Sequence, residues 1–188
     1  MITYDSQGRA YWNGKRVPRV TEICQLLAPR FYTDEYYLRR GRLIHLVTQW
    51  DDSGELDESS VDPNLTGYLE SYRKMKKEMK WVPSVREFPF YSEKYGFCGR
   101  LDALGKFMQW KTWNWILDIK SGQPHESDNY QGPAYLFGSK GSGIEAQKCA
   151  DLYLRADGTY RFREIKNPTG IFIQFLVGLK KWREENEN

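Results

Sequence analysis

From residue 3 to residue 19, aromatic or apolar side chains alternate with polar ones about Asn13-Gly14. That period of two predicts an N-terminal β-hairpin, because Asn-Gly accepts the left-handed backbone of a tight turn. Pro18, Thr21 and Glu22 then lead into a short helical turn over residues 23–27. Thr33-Asp34 is the expected cap of a second helix, which runs through Tyr37, Leu43, Ile44 and Val47 and carries His45. Asp51, Asp52, Glu55, Asp57, Glu58 and Asp62 follow with no cation among them, so residues 51–62 read as a solvated acidic loop. Leu65, Tyr68, Leu69, Tyr72, Met75, Lys76 and Met79 recur at steps of three and four, the mark of an amphipathic helix whose outer face carries Arg73, Lys74, Lys77 and Lys80. Residues 84–92, 95–106 and 112–120 are rich in aromatic and branched side chains and predict an antiparallel meander of three strands. Asp128 is the expected cap of a helix through Gln131 and Tyr135 to about Phe137, ended by Gly138, Gly141 and Gly143. Residues 147–155 and 159–165 alternate as strands across the turn Ala156-Asp157-Gly158, and residues 168–184 read as a closing helix.

The order is hairpin, helices, three strands, helix, two strands, helix, which predicts an α/β (α+β) sandwich with helices flanking one mixed β-sheet. A chain of 188 residues suits one domain. Within it, residues 1–20 would form the hairpin, 82–166 the chemistry-bearing sheet and helix, and 167–188 the C-terminal helix. A content of 40% hydrophobic and 28% charged residues fits a folded protein, and a net charge of +3 permits a nucleic-acid partner without arguing for one. Cys24, Cys98 and Cys149 form no C-x-x-C pair, so cysteine zinc sites and four-cysteine iron–sulfur clusters are excluded. They read as reduced thiols of a cytoplasm-like compartment. The N-terminus lacks a signal-peptide core, and no run approaches the ~20 apolar residues of a membrane span.

The chemistry gathers on two strands. In Trp115-Ile116-Leu117-Asp118-Ile119-Lys120 an apolar strand ends with an acid and a base two apart, hence on one face. Phe97-Cys98-Gly99-Arg100-Leu101-Asp102-Ala103-Leu104 is again apolar with one acid. A connection centred near Trp110 sets residue 102 opposite residue 118, since paired numbers in an antiparallel ladder have a constant sum. Directly opposed Cβ atoms lie about 4.5–5.5 Å apart, where two carboxylates repel unless neutralised. A divalent cation, Mg²⁺ or Mn²⁺, suits such an oxygen-rich site and would polarise a phosphodiester, with Lys120 orienting or deprotonating water or stabilising developing charge. On spacing alone, an ordinary Asp118–Lys120 ion pair on an exposed strand explains the pattern equally well.

These segments have companions in Val17-Pro18-Arg19-Val20-Thr21-Glu22-Ile23, Arg40-Gly41-Arg42-Leu43-Ile44-His45, Glu87, Gly99-Arg100-Leu101-Asp102, Leu117-Asp118-Ile119-Lys120-Ser121-Gly122, and Gln131 with Tyr135. In order and spacing, from about residue 12 to the final helix, they resemble the PD-(D/E)XK nuclease superfamily, and within it the RecB-like and phage-exonuclease branch. The resemblance implies a restriction-endonuclease-like core, with Asp102 and Asp118 as metal ligands and the Ile119 backbone carbonyl and His45 or Glu87 completing the shell. It further implies Lys120 as catalytic lysine, supported by Gln131 and Tyr135. Without it, His45 reads as a core histidine, Glu87 as a solvent-facing residue and Tyr135 as packing. The iron–sulfur subtype is excluded, and Pro133 between Gln131 and Tyr135 disturbs the helix unless it lies in the first turn.

For DNA contact the candidates are Arg39, Arg40 and Arg42, and Arg73, Lys74 and Lys77 with Lys80, as phosphate partners. Tyr36, Tyr37, Trp113 and Tyr130 are candidates for stacking on unpaired bases. No phosphate loop is present, so any motor is another chain. The expectation is a metal-dependent DNA exonuclease or end-processing nuclease of recombination, repair or replication. It would act on DNA ends in a bacterial or phage-infected cytoplasm, with a recombination or replication protein as partner. The rivals are a non-catalytic DNA-binding or assembly protein on the same fold and a structure-specific endonuclease.

Overall fold

The computed structural model describes residues 1–30, 34–110 and 113–187. Thr33 of the expected helix cap, and residue 112 at the expected start of the third strand, lie outside them. The N-terminal alternation folds into a three-stranded antiparallel sheet, β1 (Ile2–Tyr4), β2 (Ala10–Trp12) and β3 (Lys15–Val17). Asn13 and Gly14 join β2 to β3 with φ of 50° and 80°, the left-handed pair that a tight hairpin turn demands. Helix α1 (Val20–Leu27) is longer than the turn expected, because Val20, Ile23 and Cys24 all find burial. Helix α2 (Glu35–Ser53) is capped by Asp34, which accepts the Tyr36 N–H at 2.8 Å. A 3₁₀ turn (Glu58–Ser60) leads to α3 (Pro63–Met79).

The expected acidic loop at 51–62 is corrected. Asp51 and Asp52 lie in the last turn of α2, which ends at left-handed Gly54. Their cations come from other elements. Asp51 pairs with Arg73 at 2.6 Å and Lys76 at 3.1 Å, and Asp52 with Lys76 at 2.6 Å and with Arg86. Asp57 and Asp62 cap the 3₁₀ turn and α3 by accepting the Ser59 and Asn64 N–H groups.

The main sheet comprises β4 (Trp81–Ser92), β5 (Phe97–Phe107), β6 (Asn114–Lys120), β7 (Lys148–Leu154) and β8 (Tyr160–Glu164), in the spatial order of the chain. Only the β6–β7 pair is parallel, so the sheet is mixed, and the crossover between them contains α4 (Asp128–Gly138) and a 3₁₀ turn (Ser139–Ser142). Helix α5 (Pro168–Asn186) closes the fold. Phe90, Leu104, Ile116, Tyr135, Phe172 and Phe175 fill the layer beneath α1, α4 and α5; Ile44, Tyr72, Met75, Leu117, Ile119 and Leu152 fill the layer beneath α2 and α3. Each amphipathic helix thus buries its apolar stripe on one sheet face. No helix among the described residues is long and apolar enough to cross a membrane.

The expected capping role of Asp128 is also corrected. Ser127 occupies the cap position without a side-chain capping bond, its hydroxyl lying 2.9 Å from His125 Nδ1, and the buried Asp128 carboxylate accepts from the His125 N–H at 2.8 Å, Arg30 at 2.9 Å and the Tyr153 hydroxyl at 3.0 Å. Pro133 lies inside α4, in its second turn and not its first.

Candidate active site

The meander β4–β5–β6 assembles the site. Ala103 pairs with Leu117 and Leu104 with Ile116, so the constant sum carries Asp102 to the position facing Asp118 just beyond the paired residues. Arg86 pairs with Ala103 and Phe88 with Leu101, which puts Glu87 across from Asp102 on the other side. Glu87 has φ of 48°, a left-handed conformation that costs a non-glycine residue about 1–3 kcal/mol and persists only where the surroundings enforce it. The consequence is visible in the packing. Val85 and Phe88, three apart, join the same core layer, as do Leu101 and Leu104, whereas unbroken alternation would send them to opposite faces. The strand faces slip by one residue at the position where the two acids sit.

His45 reaches this break from α2. Its Nδ1 lies 3.1 Å from Glu87 Oε1 and 3.6 Å from Asp102 Oδ1, and its Nε2 lies 3.0 Å from the Ile119 carbonyl oxygen. Asp102, buried, accepts the Ile119 N–H through Oδ2 at 2.7 Å. The ligand atoms of His45, Glu87 and Asp102 all lie within 4.8 Å of one another. Asp118 is outside that group of three. Its Oδ2 lies 2.6 Å from Lys120 Nζ, and Lys120 also donates to Gln131 Oε1 and stands 3.9 Å from Asp128. The side chain of Gln131 therefore points at Lys120 despite Pro133. Tyr135 is buried, with its ring edge-on to Phe90 at 6.1 Å.

The electrostatics follow from crowding acids at low solvent access. Burial disfavours a charged His45, yet Asp102 and Glu87 outweigh it and raise its pKa from 6.5 to about 9. Burial pushes Asp118 up to about 7, against the pull of Lys120 and with the push of Asp102. Burial also disfavours the Lys120 ammonium, but Asp118, Asp128 and Asp102 more than compensate and raise its pKa. Lys120 in this arrangement is a fixed cation. Burial and the nearby acids raise the Tyr135 hydroxyl as well, which keeps it protonated.

Arg40 donates to the Ser121 carbonyl at 3.0 Å, one residue past Lys120, and lies over the rings of Tyr37 at 5.0 Å and Tyr68 at 5.3 Å. Arg39 and Arg42 are exposed on the same helix. Arg73 is held by Asp51 and Glu58, whereas Lys74 and Lys77 are exposed on α3. Of the aromatic candidates, Tyr36, Tyr37 and Trp113 are exposed and Tyr130 is half-buried. Cys24, Cys98 and Cys149 are buried and unpaired.

Two supports escape sequence reasoning. Arg86 donates to the Asp102 carbonyl at 3.0 Å, to Thr48 Oγ1 at 3.0 Å, to the Tyr72 hydroxyl at 2.9 Å and to Asp52, tying α2 and α3 to the strand that carries Asp102. Its place beside Glu87 on an apolar strand is the signal that could have marked it. Asp128 stands behind Lys120, and only its tertiary partners distinguish it from a helix cap.

No protein-family model and no curated protein sequence matches the chain. Among solved structures, the fold is similar to that of LHK-Exo in complex with dAMP, with a TM-score of 0.54 over 91% of this chain and 88% of that one, at 12% identity. A second crystal structure of LHK-Exo, an alkaline exonuclease from Laribacter hongkongensis, aligns over 90% of each chain at 12% identity with a TM-score of 0.43. The likeness is one of fold.

Proposed function

We propose that the chain is a divalent-metal-dependent nuclease of the PD-(D/E)XK kind that hydrolyses DNA phosphodiester bonds, working at ends as an exonuclease. The observation that carries the reading is the convergence of the His45, Glu87 and Asp102 ligand atoms within 4.8 Å, beside a lysine held between Asp118 and Gln131. Carboxylate and carbonyl oxygens with one imidazole suit Mg²⁺ or Mn²⁺. The electrostatics suit them too, because the crowded acids already draw a proton onto His45. His45, Glu87, Asp102 and the Ile119 carbonyl would hold the ion, with Asp118 against Asp102. When bound, such an ion polarises the phosphodiester and makes a bound water acidic enough to attack.

The remaining chemistry belongs to the chain. His45 must release its raised-pKa proton before its nitrogen can act as a ligand. The Ile119 N–H aims the Asp102 carboxylate. Lys120, an ammonium set by Asp118 and Gln131, directs its donors at negative charge developing on the phosphoryl oxygens, a role that suits a raised pKa better than that of base. Tyr135 backs α4 from the core. Arg39 and Arg42, with Arg40 bordering the site through Ser121, take the DNA backbone. The Arg73 charge already has Asp51 and Glu58, and we read the α3 face, with Lys74 and Lys77, as solvated. The fold likeness to LHK-Exo, a protein crystallised with dAMP, supports a nucleic-acid substrate. A seat in the cytoplasm and a partner in recombination, repair or replication accord with this reading.

The test is degradation of end-labelled linear and of covalently closed circular DNA with Mg²⁺, Mn²⁺ or EDTA. Metal-dependent loss of linear DNA alone is expected. Cleavage of the circle would make the enzyme an endonuclease, and binding without cleavage in any metal would make it a non-catalytic protein on this fold.

A further inference from the structure

A groove of about 1160 Å³ runs between the N-terminal sheet and the free edge of β4, bounded at one end by the 3₁₀ turn after α4. Its wall is aromatic. The rings of Trp12 and Tyr91 stack at 4.4 Å and 16°, and Tyr4 beside them is 47% exposed. Its rim is cationic, with exposed Lys94, Arg100 and Lys140 and one acid, Glu93, among the described lining residues. Lys94 and Lys140 lie over the rings of Tyr95 and Phe137, at 5.1 and 4.8 Å, and none of the three cations has an acidic partner among the described residues. On α3, Arg73 and Lys76 are neutralised by carboxylates and the exposed Lys74 and Lys77 are not among the residues lining the groove, so the groove is set apart by its aromatic wall together with its cations. Arg100 pairs with Pro89, two positions along the ladder from Glu87 and Asp102, a step of about 7 Å at the strand rise per residue. The acids of the site do not line the groove, but its Pro89–Arg100 end lies two ladder positions from them.

We propose that this groove is the channel for one unpaired strand of nucleic acid leading to the Glu87–Asp102 site. Aromatic surface flanked by unpaired cations matches what a single strand presents, a π-face at every base and a phosphate between successive ones. A duplex keeps its bases stacked and would engage the rim alone. The purpose of the channel rests on the nuclease reading; its binding chemistry does not.

The experiment is fluorescence anisotropy of a labelled oligothymidylate of about 20 nucleotides and of the same-length duplex, with the full chain in EDTA so that no cleavage intervenes, across a salt series. The channel predicts preference for the single strand. It also predicts an affinity loss of at least about 30-fold in Lys94→Glu/Arg100→Glu/Lys140→Glu, with a slope of log K against log salt shallower by about 2, at ~0.7 per phosphate contact. Tyr4→Ala, at an exposed position, is expected to weaken single-strand binding about fivefold or more, and Lys74→Glu/Lys77→Glu on α3 to leave it unchanged. A wild type that binds no single strand, or a triple variant that binds like wild type, overturns the proposal. Single-strand binding lost in the triple variant while wild type degrades no DNA keeps the channel and rejects the nuclease reading. Degradation of DNA with binding indifferent to the triple change keeps the nuclease and rejects the channel.

Discussion

His45 and Asp118 show what the crowding of acids does to single residues. In the metal-free protein the folded pKa of His45 stands above its ordinary 6.5, so its contribution to stability is fully present below pH 6.5 and is lost as pH rises through about 9. Asp118 is an acid whose folded pKa is raised from 3.8 to about 7, so the folded state loses stability as pH rises between those values. Both act in the same direction. Urea unfolding in EDTA is expected to show stability falling from about pH 4 to pH 9; a rise across that range would contradict the charge arrangement. With Mn²⁺ present, the thermal midpoint at pH 7.5 is expected to rise by several degrees in wild type and not in Asp102→Asn, as binding to the native state alone requires. These residues were legible in unequal measure. Asp102, Asp118 and Lys120 stand out because each interrupts an apolar strand, and the ladder arithmetic carried 102 to 118. Glu87 and His45 entered through resemblance, for no local pattern shows that a left-handed residue on β4 and a histidine on α2 meet the same carboxylate. Asp128 was legible only as a cap.

At the scale of elements, helix α2 is fixed to the strands by buried charges. Asp52, whose side chain is 4% exposed, receives Lys76 from α3 and Arg86 from β4, along with the Tyr72 hydroxyl. Removing one member of such a network leaves the others buried without compensation, at about 3–5 kcal/mol. Asp52→Ala is therefore expected to cut unfolding free energy by about that much in urea titrations. Because the Arg86 Nε also donates to the Asp102 carbonyl, the Mn²⁺-dependent rise in thermal midpoint should shrink in the same variant. A variant within 1 kcal/mol of wild type would deny the clamp. The sequence shows amphipathic periods well, which is why α3, α5 and the five long strands fell close to their expected positions. It concealed this clamp, since Asp51 and Asp52 have no cation nearby along the chain and meet theirs only after α2, α3 and β4 pack. The N-terminal segment gave one hairpin by its turn signal, while the additional strand β1 carries no turn signal of that strength.

Over the whole molecule, one mixed sheet holds two core layers and gathers the candidate site where the inward-outward alternation of β4 and β5 breaks at Glu87 and Asp102, with α2 bringing His45 from one side and α4 bringing Gln131 to Lys120 from the other. On the proposed reading, this division of labour separates holding a metal from using it. Lys120→Ala leaves His45, Glu87 and Asp102 in place, so it should bind Mn²⁺ as wild type does. Asp102→Asn should lose binding and activity together. The most direct measurement pairs Mn²⁺ titration calorimetry with the rate of linear DNA degradation for wild type and Lys120→Ala. The account predicts equal metal affinity and a rate lower by about 10²–10³, the usual effect of deleting one group that stabilises developing charge. Equal rates in the two proteins, or no metal binding by wild type, would contradict it.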